Sequence, residues 1–441
     1  MPYVVSRLKP RANKVDLLSF LSDLVTVDMV KPPTVFQTTG TRTAYYDYIT
    51  PQKRHELRIP EQINALKAFY NTYKHLCVDD NPSYNYELQV ELESAHKRSG
   101  KTKEEARDLA AQELKEKYDL EYCDLYHTFY IPKRSSTPTQ KKWRRIDAPS
   151  EELSNALRKL KIMFEALMDG CTYHTSAFAY VQHRCPVDAV RKHAQNKSNW
   201  ELKLDFSNFF GSVTLDFLLN MLSDIFPFSE ITRTLDGHVA LKNCLSLCFL
   251  NGGLPQGTPI SPLLTNIMMI PIDHKISNGL RNHPVKSPHK EATYDYIYTR
   301  YADDITVSNR MKFDQHEIVK YIQRVLDYYH APFSLNPDKT RFGSISGANW
   351  QLGVMYNQDY HVTVGHQRKK RLKAALSNYA MDTINHIGWR LEDLQQLQGE
   401  IAYCKSVEKD VIEDIINRYS QKYHMDITLV MKQDIKRKSQ C

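Results

Sequence analysis

The chain holds 441 residues, with 59 lysines and arginines against 51 aspartates and glutamates, a formal net charge of +8, and 41% hydrophobic residues. That length buries a sizeable core and holds two or three subdomains. No long apolar run suits a membrane span, the eight cysteines lack Cys-x-x-Cys spacing and no signal peptide precedes the chain, so a soluble, cytoplasmic protein with reduced thiols and no zinc module is expected.

From the N-terminus, the apolar run 17–25 predicts a short amphipathic helix, and a second helix starts after Pro60 with Ile63, Leu66, Phe69 and Tyr70 on one face. Residues 86–118 are charged, rich in Ala, Glu and Lys, and broken near Ser99-Gly100, which predicts a helical hairpin. Leu153, Leu157, Leu160, Met163 and Leu167 recur at helical spacing and read as core, as does a helix holding Val187, Val190 and His193. Cys244 and Cys248, four apart among apolar residues, read as core helix. Residues 271–296, with three prolines, read as a surface loop. Beyond His366 the apolar spacing at Leu372, Leu376 and Tyr379, then Ile384, Ile387, Leu391 and Leu394, then Val411, Ile412, Ile415, Ile416 and Tyr419 predicts a small helical domain.

Three segments carry chemistry. Leu202, Leu204 and Phe206 alternate as in a half-buried strand with Asp205 at its end, and Thr214 is placed to cap a helix from Leu215. Ile297–Arg300 and Ile305–Ser308 predict two strands with Tyr301-Ala302-Asp303-Asp304 at the tight turn between them. Two adjacent carboxylates on a hairpin tip repel, and become favourable when divalent cations sit there. With Asp205 they form a cluster of oxygen ligands of the kind Mg²⁺ takes, and two ions roughly 3.5–4 Å apart clamp the attacking and leaving oxygens of a phosphoryl transfer. The third segment, Gly253-Leu254-Pro255-Gln256-Gly257-Thr258-Pro259-Ile260-Ser261-Pro262, is a constrained loop ahead of an apolar helix.

In this order the three segments resemble the reverse transcriptase family, in which an aspartate strand, a Pro-Gln-Gly loop and a Tyr-x-Asp-Asp hairpin build the palm of a right-hand polymerase. Tyr130–Arg134 and Arg144–Pro149 look like its fingers hairpin, Ser334–Thr340 like the segment after the catalytic hairpin, and Trp350–Asn357 like the primer grip. The likeness to retron, group II intron and antiphage-defence enzymes is the strongest. It implies an α+β fold divided into an N-terminal helical extension (1–118), fingers and palm (119–360) and a helical thumb (361–441).

The resemblance also implies RNA-directed DNA synthesis. Asp205, Asp303 and Asp304 would be catalytic and, with Phe206, would hold two Mg²⁺ or Mn²⁺ ions. Lys133, Arg144, Arg145, Phe210, Gln256, Gly257 and Lys339 would meet the nucleotide, with Phe210 excluding a 2′-hydroxyl. Tyr301 and the basic run Arg368, Lys369, Lys370 and Arg371 would meet nucleic acid; His174 and His193 are structural or RNA-contacting, since two-metal chemistry needs no histidine base. Partners would be template RNA (a dedicated non-coding RNA among the candidates), dNTPs, the DNA product, and an accessory defence protein or a second copy. Template-independent or protein-primed synthesis on the same palm, and a catalytically silent nucleic-acid-binding module, stand as alternatives; the three intact aspartates argue against the latter.

Overall fold

The computed structural model describes residues 58–133, 143–168, 173–286, 292–345 and 351–439. The helix expected over 17–25, and Trp350, fall outside them. The fold is α+β, and two compact units divide the chain.

The first unit comprises the described part of residues 1–180 with Asp205–Asn282 and His316–Pro337. Its N-terminal helix Ile59–Tyr73 buries Ile63, Leu66 and Phe69 of the expected face, together with Ala65, and leaves Tyr70 partly exposed. A helical hairpin follows, Tyr86–Arg98 and Lys103–Tyr118. The Thr102 hydroxyl accepts the Glu105 N–H while the Glu105 carboxylate accepts the Thr102 N–H, so two otherwise orphaned donors are satisfied where the second helix begins. Strands β1 (Tyr126–Pro132) and β2 (Trp143–Pro149) form an antiparallel ribbon pairing Tyr126 with Pro149 and Pro132 with Trp143. Helix Glu151–Leu167 buries all five of its expected core residues.

Residues 270–282 depart from the expected surface loop. They form a helix in which Ile272, Ile276 and Leu280 are buried. Ile272, Ile276 and Leu280 keep i, i+4, i+8 spacing, the first turn is buried on most sides through Ile270, Pro271, Asp273 and His274, and Pro271 sits in that first turn, where a helix tolerates proline.

The second unit comprises Val181–Leu204, His283–Gln315 and the described part of Asp338–Cys441. Its sheet contains β3 (Trp200–Asp205), β4 (Ile297–Tyr301), β5 (Asp304–Asn309) and β6 (Arg341–Ser344) in the order β4-β5-β3-β6. The Asn199 N–H donates to the Asn309 carbonyl at 3.0 Å, so β3 starts where β5 ends. Helices His366–Ile384, Leu391–Val407, Lys409–Lys422 and Ile427–Ser439 close the chain. Leu372, Leu376, Tyr379, Leu394, Ile412, Ile415 and Ile416 share one core with Val187 and Val190 of helix Pro186–Gln195. Ile384 and Ile387 are instead exposed, because they lie at the end of one helix and in the connector after it.

His193, on helix Pro186–Gln195, is fully buried behind this sheet. Its Nδ1 lies 2.6 Å from the Ser308 hydroxyl and its Nε2 2.8 Å from the Thr299 hydroxyl. Both ring nitrogens are thus committed to β5 and β4, a structural role. Burial pushes its pKa down to about 3, well below the unfolded value of about 6.5. In that interval the unfolded chain binds a proton that the fold refuses, so stability is complete above pH 6.5 and falls toward pH 3. Denaturant unfolding followed from pH 7 to pH 4 should show His193→Gln with a shallower acid slope than wild type, by up to roughly 1.4 kcal/mol per pH unit. Equal slopes would mean that His193 is not the group responsible.

Candidate active site

Three segments distant in sequence converge in the first unit through main-chain hydrogen bonds. The Asp147 N–H on β2 donates to the Gln256 carbonyl at 2.9 Å, and the Leu254 N–H donates to the Phe210 carbonyl at 3.1 Å. Gly253 lies against residue 211 so closely that a Cβ would stand 2.3 Å from the Gly211 carbonyl oxygen. Gly257 adopts φ +131°, and a Cβ there would stand 2.8 Å from the Asp147 carbonyl oxygen. These two glycines allow the backbone approach that brings Gln256 and Gly257 beside β2 and Phe210.

Phe206, Phe209 and Phe333 form an aromatic cluster with centroids 4.9–5.2 Å apart, and all three are buried. Phe210, edge-on to Phe209 at 5.6 Å, is partly exposed beside the loop. Asp205 is buried, and its carbonyl accepts the Asn336 N–H at 2.8 Å while the Ser207 N–H donates to Ser334 at 2.9 Å. This ladder brackets the Phe206–Leu335 pair without using the Phe206 carbonyl.

Arg145 is half-buried. Its Nε donates to Asp147 at 2.8 Å and its Nη1 to both Glu87 oxygens at 2.8 and 2.9 Å. Partial burial opposes its charge, but these two carboxylates outweigh that and hold the guanidinium pKa above its usual value. Arg144 and Lys133 are exposed on the same ribbon.

In the second unit the expected hairpin is present. Tyr301 pairs with Asp304, and Ala302 and Asp303 make the turn, with Ala302 at φ +56°. Asp304 is therefore the first residue of β5 rather than part of the turn. The sequence reading overlooked Arg300, which is 1% exposed and donates from Nη1 to the Ala302 carbonyl at 3.2 Å. A guanidinium stays charged in the core, so its burial beneath an acidic turn is the signal that would have singled it out. Lys339 ends an exposed 3₁₀ turn, Pro337–Lys339.

In the closing helices Arg368 is held by Glu400 through two bonds, at 2.5 and 2.8 Å, and lies 4.1 Å from the Tyr403 ring centroid. Lys369 is 2.9 Å from Glu408, whose other oxygen accepts from Thr363 and from the Val364 N–H. Lys370, Arg371 and the neighbouring Lys373 are exposed. Arg371 and Arg390 also line a groove of about 890 Å³ with Trp389.

Asp205 at the end of β3, and Asp303 and Asp304 at the β4–β5 turn, each offer carboxylate oxygens, the donor chemistry that Mg²⁺ or Mn²⁺ takes: such ions use one or two carboxylates and complete their shell with water and substrate phosphates. Among the described residues, no group of three or more His, Cys, Asp or Glu side chains would hold a metal by itself.

The sequence pattern of the family described as reverse transcriptase (RNA-dependent DNA polymerase) matches residues 131–390. The chain belongs to this family. Residues of the chain are 28% identical to the Retron Ec73 reverse transcriptase of Escherichia coli over 250 positions, covering 56% of this chain and 75% of that one. The Retron Ec83 reverse transcriptase of the same organism is 24% identical over 308 positions, covering 67% and 87%. Telomerase from Candida albicans aligns with a TM-score of 0.35 at 13% identity, over 75% of this chain and 66% of the other, a likeness too slight to carry weight. The chain is thus an RNA-directed DNA polymerase, similar in sequence to retron reverse transcriptases, and among its described residues no helix is long and apolar enough to cross a membrane.

The ion pairs predict different roles within one basic run. Arg368→Ala should cost about 1–2 kcal/mol in denaturant unfolding, since it removes a bidentate pair and a ring contact. The triple variant Lys370→Ala/Arg371→Ala/Lys373→Ala should stay within about 0.5 kcal/mol of wild type. Equal losses in both would show that the run acts as one surface.

Proposed function

We propose that this polymerase joins a primer 3′-hydroxyl to the α-phosphate of a dNTP, breaking the bond between the α- and β-phosphates and releasing pyrophosphate, with Asp205 at the end of β3 and Asp303 and Asp304 at the β4–β5 hairpin taking part. Asp205, the Phe206 carbonyl, Asp303 and Asp304 would hold Mg²⁺ or Mn²⁺, which supplies charge neutralisation at the attacking and leaving oxygens when bound. Positioning falls to the rest of the chain. Phe210 would lie against the sugar, Gln256 and Gly257 would line the nucleotide pocket, and Lys133, Arg144 and Lys339 would face the phosphates. Arg145, clasped by Glu87 and Asp147, would orient the β2 edge as well as add positive charge. Tyr301, next to the turn, would meet the primer end. Lys370, Arg371 and Lys373 would contact nucleic-acid phosphates, the sequence-independent, salt-sensitive component of affinity. On the likeness to retron reverse transcriptases we extend the reading to an RNA template dedicated to this enzyme.

The observation that carries the assignment is the convergence of Phe210, Gln256 and β2 by backbone bonds. These bonds set the partly exposed Phe210 beside the loop that carries Gln256 and Gly257.

Primer extension on an RNA template with Mg²⁺ or Mn²⁺ tests it. Asp303→Asn should lose about a hundredfold or more in turnover with an unchanged unfolding midpoint; near wild-type turnover would remove Asp303 from the site. Phe210→Ala should lower the ratio of dNTP to rNTP incorporation efficiency by about tenfold or more, because the space filled by the ring would then admit a 2′-hydroxyl. An unchanged ratio would return Phe210 to the aromatic core.

A further inference from the structure

Residues 79–87 lie in the N-terminal extension, outside the segments that carry the polymerase chemistry, yet they hold the turn that leads into the Gln256 loop and the β1–β2 ribbon beside it. The Asp79 carboxylate accepts the main-chain N–H of Asn251 at 2.7 Å with one oxygen and that of Gly252 at 2.8 Å with the other. Asn251 and Gly252 are the central residues of a two-residue turn, at φ 54° and 73°, closed by hydrogen bonds between Leu250 and Gly253 at 2.9 and 3.2 Å. Both left-handed residues turn their N–H groups outward, and a single carboxylate satisfies the two at once. The chain runs from this turn directly into Leu254-Pro255-Gln256-Gly257.

Glu87 completes the clasp. One of its oxygens accepts from the Asn251 amide at 3.0 Å, and both accept from Arg145. Arg145 in turn donates to Asp147, whose N–H donates to the Gln256 carbonyl. On the adjoining side the Tyr86 hydroxyl lies 3.0 Å from the Thr128 hydroxyl, which donates to the Asp147 carboxylate at 2.6 Å. The loop is therefore held at its base by Asp79 and at its far end through Glu87, Arg145 and Asp147.

We propose that Asp79 and Glu87 are positioning residues for dNTP binding: they fix the turn at 250–253 and the β2 edge, and so the placement of Gln256 and Gly257. The inference rests on the reading of Gln256 and Gly257 as nucleotide-binding. It makes the extension part of the nucleotide pocket's support instead of a separate scaffold.

The test is single-nucleotide incorporation by the full chain, with KM for dNTP, kcat, template–primer Kd and unfolding midpoint measured for Asp79→Ala, Asp79→Asn, Glu87→Gln and Gln256→Ala. Loss of charge-assisted hydrogen bonds at a partly solvated site should raise the dNTP KM about tenfold in Asp79→Ala and about threefold in Glu87→Gln. The template–primer Kd should stay within about twofold, because the loop does not carry the basic run. Asp79→Asn should fall between wild type and Asp79→Ala, since its amide oxygen still accepts from one N–H. If Asp79→Ala does not fold, Asp79→Asn and Glu87→Gln carry the measurement. Raised KM in Gln256→Ala with wild-type KM in the folded Asp79 and Glu87 variants would overturn the proposal alone. Loss of dNTP affinity, template affinity and unfolding midpoint in parallel would also overturn it, as a general structural role. Wild-type KM in Gln256→Ala would overturn the pocket reading and the proposal with it.

Discussion

The placement of the 253–257 loop depends on backbone meeting backbone where no side chain fits. At Gly253 the loop approaches residue 211 to a distance that excludes even a methyl group, and at Gly257 it approaches the Asp147 carbonyl almost as closely. That approach lets the Asp147 N–H reach Gln256 and the Leu254 N–H reach Phe210. Main-chain bonds between rigid elements place a side chain more reproducibly than flexible side-chain contacts do, which suits a polymerase whose task is largely positioning.

Charged groups take three distinct forms among the described residues. Arg300 is buried and supports the acidic turn by donating to the Ala302 carbonyl. Arg145, Arg368 and Lys369 are half-buried and paired with carboxylates, so they join elements that hydrophobic contact alone leaves loosely oriented. Arg144, Lys370 and Arg371 stand in solvent, where a charge is fully available to a phosphate and contributes little to stability. One basic run thus contains both paired, half-buried residues and exposed ones. A helix with charges at consecutive positions turns them toward different neighbours, at about 100° per residue.

The N-terminal hairpin shows how an extension becomes integral to a catalytic domain. Its helices are ordinary in sequence, amphipathic and well capped. What distinguishes it is its N-terminal end, where Asp79 before the first helix and Tyr86 and Glu87 in its first turn direct polar groups at the β1–β2 ribbon and the loop. The Gln89 amide and carbonyl add bonds to both main-chain groups of Cys123, so the hairpin is held to the approach of β1 as well.

The sequence by itself determined the local elements and the chemistry. Asp205 at a strand end, the Tyr301–Asp304 hairpin, the Thr214 cap and the periodic helical cores were legible because each depends on residues close together in the chain. The order of the motifs identified the family, since it is itself a property of the sequence. The tertiary structure decided which basic residues are committed, because Glu87, Glu400 and Glu408 lie 58, 32 and 39 positions from their partners and no local period connects them. It also decided that 270–282 is a buried helix, that His193 bridges two strands, and that Asp79 caps a turn 172 residues away. Such contacts follow from closure of the core, and polar groups at sequence-distant positions become partners only where that closure leaves a donor facing an acceptor.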